Sequence, residues 1–168
     1  MKTLSDIFVH TLQDVYYAEN AIAKALPKMA KAAGNAHLQE ALSSHLAETK
    51  QQIARLDAVF RSLGQKPKAE KCDAIEGLIR EGEGIMEEAS GAALDAGLLA
   101  AAQAVEHYEI ARYGSLREWA RTLGHDEAHA LLSEILDEEK ATNSKLTGLA
   151  VMEINQAKAR NGRAAARA

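Results

Sequence analysis

Apolar side chains recur along this chain in alternating steps of four and three, and the recurrence breaks at only a few places. From about Leu4 to Ala33, the positions Leu4, Phe8, Thr11, Val15, Ala18, Ile22, Ala25 and Met29 share one helical face. Thr3, with Asp6 three residues on, has the form of a capping box in which Asp replaces the usual Glu. Pro27 falls inside the pattern and predicts a kink, because it lacks an N–H and presses on the carbonyl of Ala23. Gly34-Asn35 reads as a left-handed helix end followed by an N-cap. A second helix should run to about Leu63, with Leu42, Leu46, Thr49, Ile53, Leu56, Phe60 and Leu63 on its seam. Ala41, His45, Glu48 and Gln52 form an adjacent stripe.

Gly64-Gln65-Lys66-Pro67 ends that helix. Residues 65–94 are too long for a turn and predict one short amphipathic helix, weakened by Gly77, Gly82 and Gly84. Asp95 is the expected N-cap of a third helix with Leu98, Ala102, Val105, Glu109, Tyr113, Leu116, Ala120 and Leu123 on its buried stripe. Gly124 and Asp126 close and reopen the chain. A fourth helix should reach about Lys158, with Ala128, Leu131, Ile135, Glu138, Thr142, Leu149 and Met152 near its buried side. The remainder, 159–168, has no large apolar residue and is expected to be a flexible basic tail, with Arg160, Arg163 and Arg167 in solvent. The prediction is all-α: residues 1–158 form a four-helix bundle of two antiparallel hairpins, joined by a long crossover that carries a short extra helix. A long link between the second and third helices is the mark of the ferritin-like arrangement.

The two hairpins match each other. A shift of 90 residues lays Leu26 on Leu116, Gly34 on Gly124, Leu42 on Leu132, Leu46 on Leu136 and Leu56 on Leu146. The same shift lays Glu19 on Glu109 and Glu48 on Glu138. Each first Glu lies 15 residues before its glycine and each second Glu 14 after it. At ~1.5 Å per residue, both stand roughly 20 Å from the turn. Two such hairpins bring four carboxylates to one level, which is how carboxylate-bridged dimetal sites are built. Glu106 adds a carboxylate on one side only, since its partner under the shift is Tyr16. His45 adds an imidazole on one side only, since its partner is Ile135.

Buried carboxylates repel one another unless they hold protons or cations. Two ions of iron or manganese suit an oxygen-rich set with few imidazoles. The expected ligands are therefore Glu19, His45, Glu48, Glu106, Glu109 and Glu138. The competing readings are a polar layer of protonated Glu bonded to Tyr16, Tyr17 and Tyr113, and a His45 that only donates to Glu48.

Composition narrows the rest. Aromatic residues are 4% of the chain against 47% hydrophobic overall, so small side chains pack its helices closely. The net charge of −4 argues against nucleic-acid binding through bulk charge. The single cysteine, Cys72, excludes an internal disulfide and fits a reducing, cytoplasmic setting. No apolar run is long enough to span a membrane, and the start lacks the apolar core of a signal peptide.

Four segments together carry a resemblance over nearly the whole chain: Thr-Leu-Gln-Asp-Val-Tyr-Tyr-Ala-Glu19, His45-Leu-Ala-Glu-Thr49, Val105-Glu-His-Tyr-Glu-Ile-Ala-Arg-Tyr-Gly114 and Leu136-Asp-Glu-Glu-Lys140. The chain resembles the YciF/YciE family of bacterial stress-response ferritin-like proteins. The resemblance implies a homodimer of four-helix bundles with a dimetal centre, in a family whose reaction is unsettled; the carboxylate set itself suggests oxidase, peroxidase or ferroxidase-like chemistry. More distantly it is similar to rubrerythrins, whose Glu-x-x-His motifs would place histidines where this chain has Gln51 and Ala141. Those departures leave open a non-enzymatic structural or metal-sequestering stress protein with a degenerate site. A cage-forming ferritin is a third reading.

Overall fold

The computed structural model describes residues 1–156, and those residues are almost entirely helical. Helix α1 spans Leu4–Ala32, α2 Ala36–Ser62, α3 Asp73–Glu88, α4 Gly91–Thr122 and α5 Asp126–Leu149. A π-helical turn, Ala150–Ile154, extends α5. The end of the fourth sequence-predicted helix and the basic tail at 159–168 lie outside the described residues. Among those described, no helix is long and apolar enough to cross a membrane.

The termini follow local chemistry. Thr3 and Asp6 form the expected reciprocal capping box. Asn35 caps α2 by accepting from the N–H of Leu38 at 3.0 Å. Gly124 turns left-handed at φ 75° and separates α4 from α5. Helix α1 continues on both sides of Pro27, which faces solvent.

Two expectations are corrected. Gly34 is not left-handed; α1 ends on an extended Ala33 instead. Asp95 is not an N-cap, because α4 starts one turn earlier behind Ser90. The two errors have one cause. Asp95 is buried within α4, and its Oδ1 accepts from the Gly34 N–H at 2.7 Å. A Cβ on Gly34 would sit 3.4 Å from the other carboxylate oxygen. Backbone handedness therefore does not call for a glycine here; the aspartate instead accepts from an N–H beyond the end of α1. Asp95→Ala should lower stability by about 0.5–1.5 kcal/mol in chemical denaturation, the net worth of one hydrogen bond whose donor can turn to water.

The four long helices pack in a ring, α1 against α2 and α4, and α5 against α2 and α4. Helix α3 lies across α1 and α4. Its thiol cap, Cys72, is buried rather than set in a polar link, with Sγ 3.0 Å from the Tyr108 hydroxyl. The Tyr108 hydroxyl in turn donates to Asp14 at 3.1 Å.

The core divides into two apolar lobes. One gathers Ile22, Leu26, Met29, Leu42, Leu98 and Ala102 toward the α1–α2 turn, together with Ile75 of α3. The other gathers Phe8, Leu12, Leu56, Phe60, Leu116 and Leu132 at the opposite end. Between them, each long helix turns a polar residue inward: Glu19, Thr49 and Gln52, Glu106 and Glu109, and Glu139 with Thr142, all buried.

Candidate metal centre

The polar layer is built by register. On α4, Leu98, Ala102, Glu106, Glu109, Tyr113 and Leu116 are all buried, so the two carboxylates continue an apolar seam. On α1, Glu19 sits between Val15 and Ile22 in the same way, completely buried. On α5 the seam runs Leu132, Ile135, Leu136, Glu139, Thr142 and Leu146. On α2 it includes His45, Thr49, Gln52 and Leu56.

Two triads of ligand atoms result, each with all its atoms within 4.8 Å of one another: His45, Glu106 and Glu109, and Glu19, Glu109 and Glu139. Glu109 belongs to both. The bonds around them are few. Tyr113 donates its hydroxyl to Glu19, and Gln52 donates to Glu139 at 2.7 Å. His45 Nε2 lies 3.2 Å from Glu106 Oε1 without forming an aligned hydrogen bond. Glu19 Oε2, both oxygens of Glu106, Glu109 Oε2, Glu139 Oε2 and His45 Nδ1 have no N–H or hydroxyl partner, although the carboxyls of Glu19 and Glu109, and of Glu106 and Glu139, lie within hydrogen-bonding reach of one another when protonated.

Burial sets the protonation of these groups. It pushes Glu19 up to about 8, with the charge of Glu139 adding to the rise. Burial likewise takes Glu106 to about 7 and raises Glu109 and Glu139 well above the carboxylate range. It lowers His45 to about 4, so the imidazole is neutral at physiological pH. Without a cation the layer therefore holds protons. A neutral imidazole with a free nitrogen and carboxyls that share protons only among themselves are what a hard or borderline cation can take over. The residues present fit such an ion.

The structure brings together Glu19, His45, Glu106 and Glu109 of the six residues singled out from the sequence. Glu48 and Glu138 lie at the rim between α2 and α5, with side chains 29% and 33% exposed. Glu138 accepts from Arg55 at 2.5 Å and from Gln52 at 3.2 Å. Glu48 accepts from Thr142 at 3.0 Å and from Lys145 at 3.5 Å. Arg55 and Lys145, like Gln52 and Thr142, are themselves related by the 90-residue shift. The repeat is thus real in space, but it builds two equivalent clasps at the rim. The inward carboxylate of α5 is Glu139, one residue and about 100° of helix further on.

The missed signal was in the seam itself. Steps from Leu132 through Leu136 reach Glu139 and then Leu146, whereas Glu138 departs from that line. The repeat hid this because the counterpart of Glu139 is Thr49, which cannot be recognised as a ligand. Met152, assigned near the buried side, is 79% exposed.

Comparison with known proteins agrees with this architecture. Residues 3–159 match the family model described as Domain of unknown function (DUF892). The chain is 48% identical to Protein YciF of Escherichia coli strain K12 over 158 residues, covering 93% of this chain and 95% of that protein. The crystal structure of the E. coli stress protein YciF superposes with a TM-score of 0.89, over 92% of this chain and 99% of that one. YcfI from Rhodopseudomonas palustris is 54% identical with a TM-score of 0.84, over 87% of this chain and 94% of that one.

Proposed function

Starting from the fact that this chain belongs to the DUF892 family, we propose that it is a ferritin-like four-helix-bundle stress protein whose buried acidic layer holds two iron or manganese ions. The observation that carries this reading is the pair of triads sharing Glu109, with buried oxygens that receive no N–H or hydroxyl donor from the protein. His45, Glu106 and Glu109 would hold one ion, and Glu19, Glu109 and Glu139 the other.

Bound iron or manganese would supply a change of redox state and Lewis acidity. The chain does the remainder. Its carboxyls release protons as the ion binds, so uptake acidifies the medium. Tyr113 and Gln52 aim Glu19 and Glu139 through the bonds they donate. The two apolar lobes exclude water from both sides. Anaerobic loading followed by elemental analysis should give two ions per chain, and Glu109→Ala should abolish both, because this carboxylate belongs to each triad. Less than one ion per chain would end the proposal.

A second reading has its own observation. Among the described residues, His45 is the one imidazole in either triad, and α5, which supplies Glu139, follows it one turn later with Thr142 rather than a second imidazole. A centre poor in imidazole suits sequestration in a non-enzymatic protein. Steady consumption of peroxide, or of dioxygen with ferrous iron, by the loaded protein would rule that reading out. A dimer belongs to the same proposal, and gel filtration separates it from a cage.

A further inference from the structure

A cavity of about 30 Å³ lies between α1, α3 and α4 and reaches inward to His45 of α2. Its wall is apolar, including Ile22, Met29, Leu78, Met86, Ala102 and Val105. The polar residues along it are few. Lys28 and Glu83 stand at the outer end, paired at 3.1 Å with both side chains largely in solvent. His45 stands at the inner end, 95% buried by its side chain, with Nε2 toward Glu106 and Nδ1 without a partner.

Loose docking of α3 does not account for this space. A Cβ on Gly97 would come within 2.6 Å of Ile85 Cγ2, so α3 and α4 are in tight contact beside the cavity. Helix α3 is seated and still leaves a gap over the histidine.

We propose that this cavity is a binding site for one small apolar molecule of dioxygen size, held against His45 at the edge of the acidic layer. Size limits the occupant to a few heavy atoms: about 30 Å³ is open to the centre of a water-sized sphere, more than the roughly 10–15 Å³ that one water requires. Polarity excludes water and peroxide. A buried water needs about two to four polar partners, and inward of the Lys28–Glu83 pair the lining side chains offer only the His45 imidazole. Peroxide has two donors and two acceptors to satisfy and would leave most of them bare. A dioxygen-like molecule leaves none. The cavity also opens on the α3 side, opposite the Glu48 and Glu138 clasps between α2 and α5. What the molecule does at the acidic layer rests on the two-ion reading; its occupancy of the cavity does not.

The test uses the full chain without metal, labelled at its methyl groups. Under xenon, the methyls of Leu78, Ala102 and Val105 should shift and saturate together. Under dioxygen, the same methyls should relax faster than the methyls of Ile110 and Leu131, partly buried in the other lobe like those of Leu78 and Val105 in this one. Ala102→Leu, which fills the gap, should abolish both responses; if that variant does not fold, the half-buried Ala101→Met replaces it. Absence of a saturable shift, or a shift that survives filling, overturns the proposal. Xenon bound by a protein that takes up no metal would uphold the cavity and sink only the two-ion reading. Metal bound without xenon would do the reverse.

Discussion

Metal-free protein should lose stability as the pH rises from 6.5 to 8, a trend opposite in sign to that of most carboxylates. Unfolded, these glutamates titrate near 4.5; folded, Glu106 holds its proton to about 7 and Glu19 to about 8. Between those limits the folded chain binds protons that the unfolded chain has released. Each step up in pH then favours unfolding, by about 1.4 kcal/mol per pH unit for each group. The contribution is fully present below 4.5 and lost as the pH climbs through the folded values. His45 works the other way. Folded it titrates near 4 and unfolded near 6.5, so its share of stability grows with pH over that interval and cancels part of the carboxylate trend. Above 6.5 the carboxylates act alone. Glu109 and Glu139, raised well above the ordinary range, add to the same slope. The melting temperature of chelator-treated protein should fall by on the order of 10 °C across this window. Manganese should remove the decline, because an ion takes the place of the protons. A flat or rising calorimetric profile would mean that the acidic layer does not hold protons.

Glu139→Gln should cost far more metal affinity than Glu138→Gln, although the two residues are adjacent. Glu139 is fully buried and contributes an oxygen to a triad. Losing it should weaken binding by at least the roughly 100-fold that marks the upper end for residues that merely support ligands. Glu138 is held by Arg55 and Gln52 at the rim, and its replacement should cost no more than about tenfold, the lower end of that range. The stability of the metal-free protein should change as well. At pH 8, Glu139→Gln should be the more stable of the two variants, since the amide needs no proton to remain buried. Calorimetric titration with manganese and melting curves on the same samples measure both effects. A larger loss of binding from Glu138→Gln would restore the register inferred from the repeat.

That register marks the limit of what the primary structure discloses. Helix positions were legible because seams such as Phe8, Val15 and Ile22 cannot face water along so many turns. The caps at Thr3 and Asn35 were legible because their chemistry is local. Glu19, Glu106 and Glu109 were legible because each lies among leucines, valines and alanines. Three features were not. Gly34 and Asp95 find each other across 61 residues, and no local rule reports such a bond. Cys72 sits in a charged stretch, yet Tyr108 and the docking of α3 bury it. Glu48 and Glu138 obey the repeat so well that their inward placement was inferred from symmetry, whereas one residue of helical rotation decides the matter.

The paired clasps carry a further consequence. Glu48 with Lys145 and Glu138 with Arg55 are twins, which is what a duplicated hairpin would leave behind. The triads between them are not twins. One contains an imidazole and two carboxylates, the other three carboxylates and no imidazole. An ancestor assembled from two identical halves would have offered two interchangeable seats, whereas this single covalent chain let each seat diverge. On the two-ion reading, its occupants should therefore arrive in order, and softer and harder ions should part company between them.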